Sequence, residues 1–412
     1  MPDAGRFLKR HQKIELLAPA GSFEKLKIAI HYGADAVYLA GKDFSLRNFA
    51  GMSLPEIEMA IRFAHDLGKK VYVACNIYPR NHELDAISDY LYQIGRLGPD
   101  AVIVADPGIF MMARRIIPEI PIHISTQANI TNLAGAIFWR DMGAARVNSA
   151  REITLSEISE IVQQSRIEVE SFVHGALCIA YSGRCLLSSF MAKRDSNRGM
   201  CSHPCRWQYA VVEELRPGIF MPVLEDERGT YIFNSRDLCM IEHIPDMIRA
   251  GICSLKIEGR MKGINYLATV VKVYREAIDA WYANPEDFQV DATWLQELLR
   301  ISHRGYCTGF YFGDPDQTSP NFDNYKSFHD HVFMAEIIEA SEDGGMICHI
   351  RNKIQKGDAV EILTRKGAAR ADTVRELFDL SGAPLDFTQT GTHVRILLNG
   401  QYDVHDLIRK AG

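Results

Sequence analysis

The chain has 412 residues, more than one small domain needs and enough for two, or for one large α/β barrel with an appendage. Hydrophobic residues make up 47% and charged residues 24%, which excludes a disordered, collagenous or low-complexity chain. Forty-six Lys and Arg against 52 Asp and Glu leave −6, so any nucleic-acid contact has to come from a local patch.

Nine cysteines are odd in number and too sparse for a disulfide scaffold. Residues 1–13 are polar and basic without an apolar h-region. The most apolar stretch, residues 101–113, is interrupted by Asp106, Pro107 and Gly108. These features predict a cytoplasmic protein with no membrane span, in which cysteines stay reduced. Clustered cysteines then read as metal ligands or reactive thiols rather than bridges.

In chain order, eight β-branched apolar runs fall at residues 14–18, 36–40, 70–76, 101–106, 121–127, 146–149, 167–174 and 254–259. Helical periodicity lies between most of them, as in residues 22–32, where Phe23, Leu26 and Ile30 recur at three- and four-residue spacing. Ser53 with Glu56 reads as a capping box opening another helix. Eight strands apolar on both faces predict a parallel (β/α)8 barrel over residues 1–312. A doubly wound open sheet fits the pattern nearly as well, but eight strands favour closure.

Between the seventh and eighth runs, residues 178–239 form an insertion. Its later part, around Asp226-Glu227-Arg228-Gly229, reads as a hairpin pairing residues 209–214 with 231–234. Residues 313–330 are rich in Asp, Pro, Ser and Asn and read as a linker. Short runs at residues 331–340, 345–351, 358–364, 371–376 and 393–398 then predict a small β-barrel over residues 331–412. That unit carries 10 Lys and Arg against 12 Asp and Glu, so its net charge does not mark it as an RNA binder.

Cys178, Cys185, Cys201 and Cys205 are spaced C-x6-C-x15-C-x3-C between Gly-rich polar flanks, and Cys239 follows the hairpin. Packing does not explain such a set in a loop, whereas metal or cluster binding does. There is no C-x2-C zinc knuckle, and Gln208 stands where a radical-type C-x3-C-x2-C motif needs its third cysteine. Iron–sulfur clusters take thiolates from more varied spacings. The other four cysteines, Cys75, Cys253, Cys307 and Cys348, are isolated and read as core filler or incidental. No Walker loop, G-x-S-x-G elbow or G-x-G-x-x-G motif is present.

The stretch Glu170-x-Phe172-x-x-Gly175-Ala176-Leu177-Cys178, continuing through Gly183, Cys185, Leu187 and Ser188, closely resembles the signature of the collagenase-like family of unclassified peptidases. The blocks Leu16-Leu17-Ala18-Pro19-Ala20-Gly21-Ser22 and Lys256-Ile257-Glu258-Gly259-Arg260-Met261-Lys262 carry the same resemblance. Bacterial members of that family serve the formation of 5-hydroxyuridine at the tRNA wobble position, cytidine hydroxylation in ribosomal RNA, and oxygen-independent quinone hydroxylation. The resemblance implies a 4Fe–4S cluster on Cys178, Cys185 and Cys201, with Cys205 or Cys239 as the fourth ligand. It also implies prephenate as the hydroxyl source, and length and the Cys201–Trp207 block resemble the tRNA branch. The alternatives are a collagenase-like peptidase, hydroxylation of another substrate, or a cluster-bearing scaffold. The chain would work alone, as a homo-oligomer, or with a partner subunit of the family.

Barrel active sites sit at the C-terminal ends of the strands, where Asn76, Asp106, Gln127, Arg151, His174, Glu258 and Arg260 should collect. A dicarboxylate calls for Arg forks, for which Arg47, Arg151 and Arg260 are candidates. His174 is a candidate for proton transfer. Glu170, sharing a strand face with it, is either a general acid or base or a buried partner of Lys256. Arg194, Arg198, Arg206 and Trp207 combine cations with an aromatic and suit the tRNA anticodon loop, or else form a solvated charged loop.

Overall fold

The computed structural model describes residues 13–42, 44, 51–177, 188, 192, 211–212, 220–221, 224–226, 229–231, 236–313, 332–340 and 345–411. Seven parallel strands come first: β1 (Glu15–Pro19), β2 (Ala36–Ala40), β3 (Lys70–Cys75), β4 (Ala101–Val104), β5 (Ile122–Ile124), β6 (Arg146–Asn148) and β7 (Glu168–Ala176). The intervening helices are α1 (Phe23–His31), α2 (Leu54–Asp66), α3 (Leu84–Leu97), α4 (Pro107–Ile116), α5 (Leu133–Asp141) and α6 (Leu155–Ser165).

Their starts follow from local hydrogen bonding. Glu56 accepts from the backbone N–H of Ser53 at 2.7 Å, the expected capping box. Asp106 caps α4 by accepting from the Ile109 N–H at 3.0 Å, so its carboxylate is spent on the helix.

Four short strands lie in the insertion: β8 (Val211–Val212), β9 (Phe220–Met221), β10 (Leu224–Asp226) and β11 (Gly229–Tyr231). They form two hairpins, β8 with β9 and β10 with β11, where one was expected. Residues 229–231 pair with 224–226, and Val211 and Val212 pair with Met221 and Phe220 instead.

Strand β12 (Asp237–Cys239) then runs antiparallel to β7, and β13 (Ser254–Ile257) pairs in parallel with both β1 and β7. That double pairing closes the eight-stranded barrel and decides against the open sheet. Helices α7 (Ile244–Arg249), α8 (Ile264–Ala283) and α9 (Ala292–Leu299) follow, with the short strand β14 (Tyr306–Cys307) beside β12. Alternate residues such as Leu16, Val37, Val73, Val104 and Val147 face the helices. Their neighbours Leu17, Ala36, Tyr38, Tyr72, Ala74 and Ile103 fill the barrel on the β1–β4 side. Among the described residues no helix is long and apolar enough to cross a membrane.

The C-terminal unit is an antiparallel sheet of β15 (Phe333–Ala340), β16 (Met346–Ile350), β17 (Ala359–Leu363), β18 (Arg370–Thr373), β19 (Glu376–Phe378), β20 (His393–Leu397) and β21 (Leu407–Lys410). Its order is β18-β17-β21-β15-β16-β20-β19, a half-barrel. The run expected at 371–376 is split between β18 and β19, which lie on opposite edges. The last strand, Leu-Ile-Arg-Lys, lies inside the sheet between β17 and β15, and its charge pattern concealed it. The expected linker, residues 313–330, lies outside the described residues apart from Gly313.

The sheet docks on the barrel helices. Arg409 on β21 is completely buried and pairs with Glu297 of α9 at 3.0 Å, with Glu361 of β17 at 3.6 Å. The fully buried Tyr32 at the end of α1 donates to the Leu363 carbonyl at 2.6 Å, and His31 meets Asp406 at 3.1 Å. Leu363 and Leu407 join the same apolar cluster as the barrel helices, so the two units share a core.

Burial alone would raise the Glu297 carboxyl, but Arg409, Arg300 and Lys272 together hold it below its ordinary value of 4.5. A carboxyl depressed in the folded state stabilises fully above its unfolded value and loses that contribution as pH falls through the folded one. Replacing Glu297 by Gln should therefore cost about 3 kcal/mol in urea unfolding at neutral pH, by leaving Arg409 only its longer pair with Glu361. The difference from the wild type should narrow as pH falls below 4.5.

Candidate active site

The barrel interior is apolar on one side and ionic on the other. Arg146, the first residue of β6, donates to Glu15 of β1 at 2.7 Å and to Glu168 of β7 at 2.9 Å. Tyr72 and Ser254 donate to the same Glu15 at 2.7 and 2.8 Å. One layer up, Glu170 accepts from Lys256 at 2.7 Å, from Asn148 at 2.9 Å and from Arg146 at 3.5 Å. Burial would raise Glu15, but Arg146, Tyr72 and Ser254 hold it below the ordinary carboxylate value. His123, ring to ring with Tyr72, is pushed well down by burial, then by Arg146 and Lys256, and stays neutral. Glu170 thus pairs with Lys256 as the strand order suggested, and it lies beneath the barrel mouth, two residues before Phe172.

The mouth is built on Phe172. The Arg151 guanidinium carbon lies 3.8 Å from the centre of that ring, a close cation–π contact. Its Nη1 donates to the Ala176 carbonyl at 2.8 Å, and its Nη2 is 3.7 Å from Glu258 Oε2. Around the rim, Asn76 donates to Ser125 at 3.3 Å, and Thr126 donates to the Ser149 carbonyl at 3.1 Å. The Tyr78 hydroxyl donates to the Gln127 carbonyl.

Among the described residues, Arg151 Nε, Gln127 Oε1 and Asn76 Oδ1 on this rim have no hydrogen-bond partner. Buried polar atoms are normally paired, so these make the rim a candidate site for a polar ligand. Arg260 is buried at the edge, where its carbonyl accepts from Lys25 at 3.0 Å. The structure therefore brings Gln127, Arg151 and Glu258 together, with Arg260 alongside.

His174 does not join them. Lys256 pairs with Phe172 but Ile257 pairs with His174, so the ladder slips by one residue and the alternation breaks. The imidazole faces Tyr266 and Tyr274 of α8 and Tyr306 of β14, with ring centres at 5.9, 5.5 and 5.3 Å. Burial pushes it down to about 3, against Asp237 and with Lys262 and His303, so it is neutral near pH 7. The expectation that it shares a face with Glu170 fails for that reason. Gly175 follows at φ +110°, where a Cβ would stand 2.7 Å from the Glu258 carbonyl. Only glycine lets β7 pass that close.

Cys178, Cys185, Cys201, Cys205, Arg47, Arg194, Arg198, Arg206 and Trp207 lie outside the described residues. Cys239 is buried opposite His174 and accepts from the Tyr274 hydroxyl at 3.7 Å; burial pushes its thiol up to about 11. Of the four isolated cysteines, Cys75 and Cys348 are buried in the core, whereas Cys253 and Cys307 are half-buried. Among the described residues no three His, Cys, Asp or Glu side chains are grouped to hold a metal ion. Asp237 pairs with Ala176, however, so the segment between them leaves and returns at the mouth.

Sequence reasoning missed Ser125 and the Arg146–Glu15 pair. An Arg or Glu opening an otherwise apolar strand was the available signal.

A model of peptidase family U32 matches residues 21–321, and a model of that family's C-terminal domain matches residues 329–409. A tRNA hydroxylation protein of Bacillus subtilis is 42% identical over 377 residues, covering 91% of this chain and 89% of that one. The tRNA hydroxylation protein P of Escherichia coli is 39% identical, covering 86% of this chain and 87% of its own. A 23S rRNA 5-hydroxycytidine synthase of Escherichia coli is 30% identical over 88% of this chain and 55% of its own.

Replacing Lys256 by Met should destabilise the protein by about 3 kcal/mol, because Glu170 then loses its shortest ion pair inside the barrel. Adding Glu170→Gln should restore most of that loss in the same urea titration. A single variant as stable as the wild type would contradict this assignment.

Proposed function

Since the chain belongs to peptidase family U32, we propose that it is a hydroxylating enzyme acting on tRNA. The observation that carries this reading is the 42% and 39% identity to tRNA hydroxylation proteins, spread over nearly the whole of each chain. Polar atoms at the mouth that lack a partner among the described residues suit a polar substrate there.

The target is the wobble uridine of the anticodon loop, converted to 5-hydroxyuridine, with Arg194, Arg198, Arg206 and Trp207 contacting the RNA. Prephenate is the hydroxyl source, one carboxylate facing the Arg151 guanidinium on its Phe172 shelf, with Arg260 and Arg47 as further cations. Glu258 and the Ala176 carbonyl hold Arg151 in plane, and the Lys256–Glu170 pair fixes the floor beneath. Cys178, Cys185 and Cys201 hold a 4Fe–4S cluster, with Cys205 or Cys239 as fourth ligand. The return of the insertion to the mouth suits that site. When bound, the cluster supplies redox or Lewis-acid chemistry there.

Deleting the gene should remove 5-hydroxyuridine derivatives from bulk tRNA nucleosides measured by mass spectrometry. The wild-type gene should restore them, while Cys178→Ala should not, and Arg151→Lys should restore less than a tenth. Unchanged nucleosides in the deletion strain would end the tRNA reading. Anaerobically purified protein should carry about four irons per chain. Of Cys205→Ala and Cys239→Ala, the variant that loses iron identifies the fourth ligand, and stoichiometric zinc instead of iron would refute the cluster.

A further inference from the structure

Two barrel helices open on a capping box, and α1 departs from that pattern at one residue. In α2 and α6 the residue three past the N-cap is a glutamate, and Glu56 and Glu157 each accept from the cap N–H at 2.7 Å. Helix α1 has Ser22 as its N-cap and Lys25 at the equivalent place. A cation in the first turn is opposed by the helix dipole and forgoes the capping box. Lys25 is half-buried, and the neighbouring Glu24 pairs with Arg351 instead. Burial lowers the Lys25 ammonium from its ordinary value, with Glu24 acting against it.

Helix α1 begins just past the end of β1, so its first turn lies on the barrel rim. From there the Lys25 ammonium donates to the Arg260 carbonyl at 3.0 Å, on the loop that follows β13. That loop is held in place. The Tyr266 hydroxyl donates to the Glu258 carbonyl at 3.0 Å, and a Cβ on Gly259 would stand 2.8 Å from the Tyr266 ring. One of the three ammonium N–H groups is used on Arg260, and Lys25 forms no ion pair among the described residues. Strands β6, β7, β13 and β1 are consecutive neighbours, so Arg151, Glu258, Arg260 and Lys25 follow one another around one sector of the rim. Its carboxylates lie toward the other end, where Glu258 is 3.7 Å from Arg151 and Glu152 follows Arg151 in the chain. Lys262 of the same loop donates to the Ser302 carbonyl at 3.4 Å.

We propose that Lys25 is an anion-binding residue of the active site, whose remaining N–H groups take the second carboxylate of the dicarboxylate hydroxyl donor while Arg151 takes the first. The inference rests on the hydroxyl-donor reading above and adds to it a residue from the β1 side of the mouth. It accounts for a lysine where α2 and α6 carry glutamate, because a glutamate here would set a negative charge against the bound anion. The local cost at the start of α1 is then offset by function. A single cation would let a dicarboxylate pivot, whereas cations at both ends of one sector fix its direction.

The test uses the full-length chain and two ligands, prephenate by isothermal titration calorimetry and unmodified tRNA by fluorescence anisotropy. Lys25→Met, which keeps the length of the side chain, should bind prephenate about tenfold more weakly and tRNA as the wild type does. Lys25→Arg should recover most of that loss. Lys25→Glu should abolish prephenate binding yet unfold at no lower urea concentration than the wild type, because it completes a capping box. Wild-type prephenate affinity in Lys25→Met would overturn the proposal, and a lower urea midpoint alongside it would make Lys25 a structural tie to the Arg260 loop. A loss of tRNA affinity with prephenate unchanged would identify the anion as a backbone phosphate and overturn it equally, as would equal losses for both ligands. A wild-type chain that does not bind prephenate would bring down the hydroxyl-donor reading, and this proposal with it.

Discussion

The ion cluster inside the barrel is what the mouth stands on. Lys256 and Glu170 are 86 residues apart, and Arg146 and Glu15 are 131 apart, yet they meet where β13 closes between β7 and β1. Closing a barrel is its most non-local step, because the loop entropy of the whole chain has to be overcome before the last strand pairs. An apolar seam would tolerate a slip along the strand. A carboxylate with three donors from three strands does not, since a displaced register would leave a charge buried and unpaired.

That fixed register accounts for the spacing of the motif on β7. Glu170 points inward and is locked by Lys256; two residues later Phe172 points inward one layer higher and supports Arg151. The ladder then slips, sending His174 outward to the tyrosines of α8, and Gly175 takes the left-handed backbone that lets Glu258 approach. Ala176 closes the sequence by accepting from Arg151 and pairing with Asp237, where the cysteine segment departs and returns. Each residue type in Glu-x-Phe-x-x-Gly-Ala thus has a separate physical requirement, and none of them is a reacting group by geometry alone.

Most of this architecture was legible in the sequence because it rests on periodicity. Eight apolar runs with capped helices between them specify a parallel barrel, and the Ser53–Glu56 box is a local signal with a local cause. The orientation of His174 was not legible, because a one-residue slip depends on the partner strand and leaves no trace in the pattern of β7 itself. The interior strand β21 escaped for a related reason: Arg409 interrupts its apolar character, and the partners Glu297 and Glu361 make a fully buried guanidinium tolerable there. Asp106 shows the converse, a strand-end carboxylate that resembles a site residue but satisfies a helix N-terminus.

The buried Arg409 also bears on why the half-barrel sits where it does. An ion pair sealed between two units adds little net stability over a well-packed apolar contact, but it penalises every orientation that leaves the charge unmatched. Arg409 is matched by Glu297 on α9 and by Glu361 on β17, and the far end of the same sheet face is tied to α1 through Arg351 and Glu24. Two charged ties at opposite ends of one face leave little freedom to rotate, whereas the shared apolar cluster around Leu363 and Leu407 would permit some. The exposed remainder of that face is therefore held at a set angle to the barrel mouth.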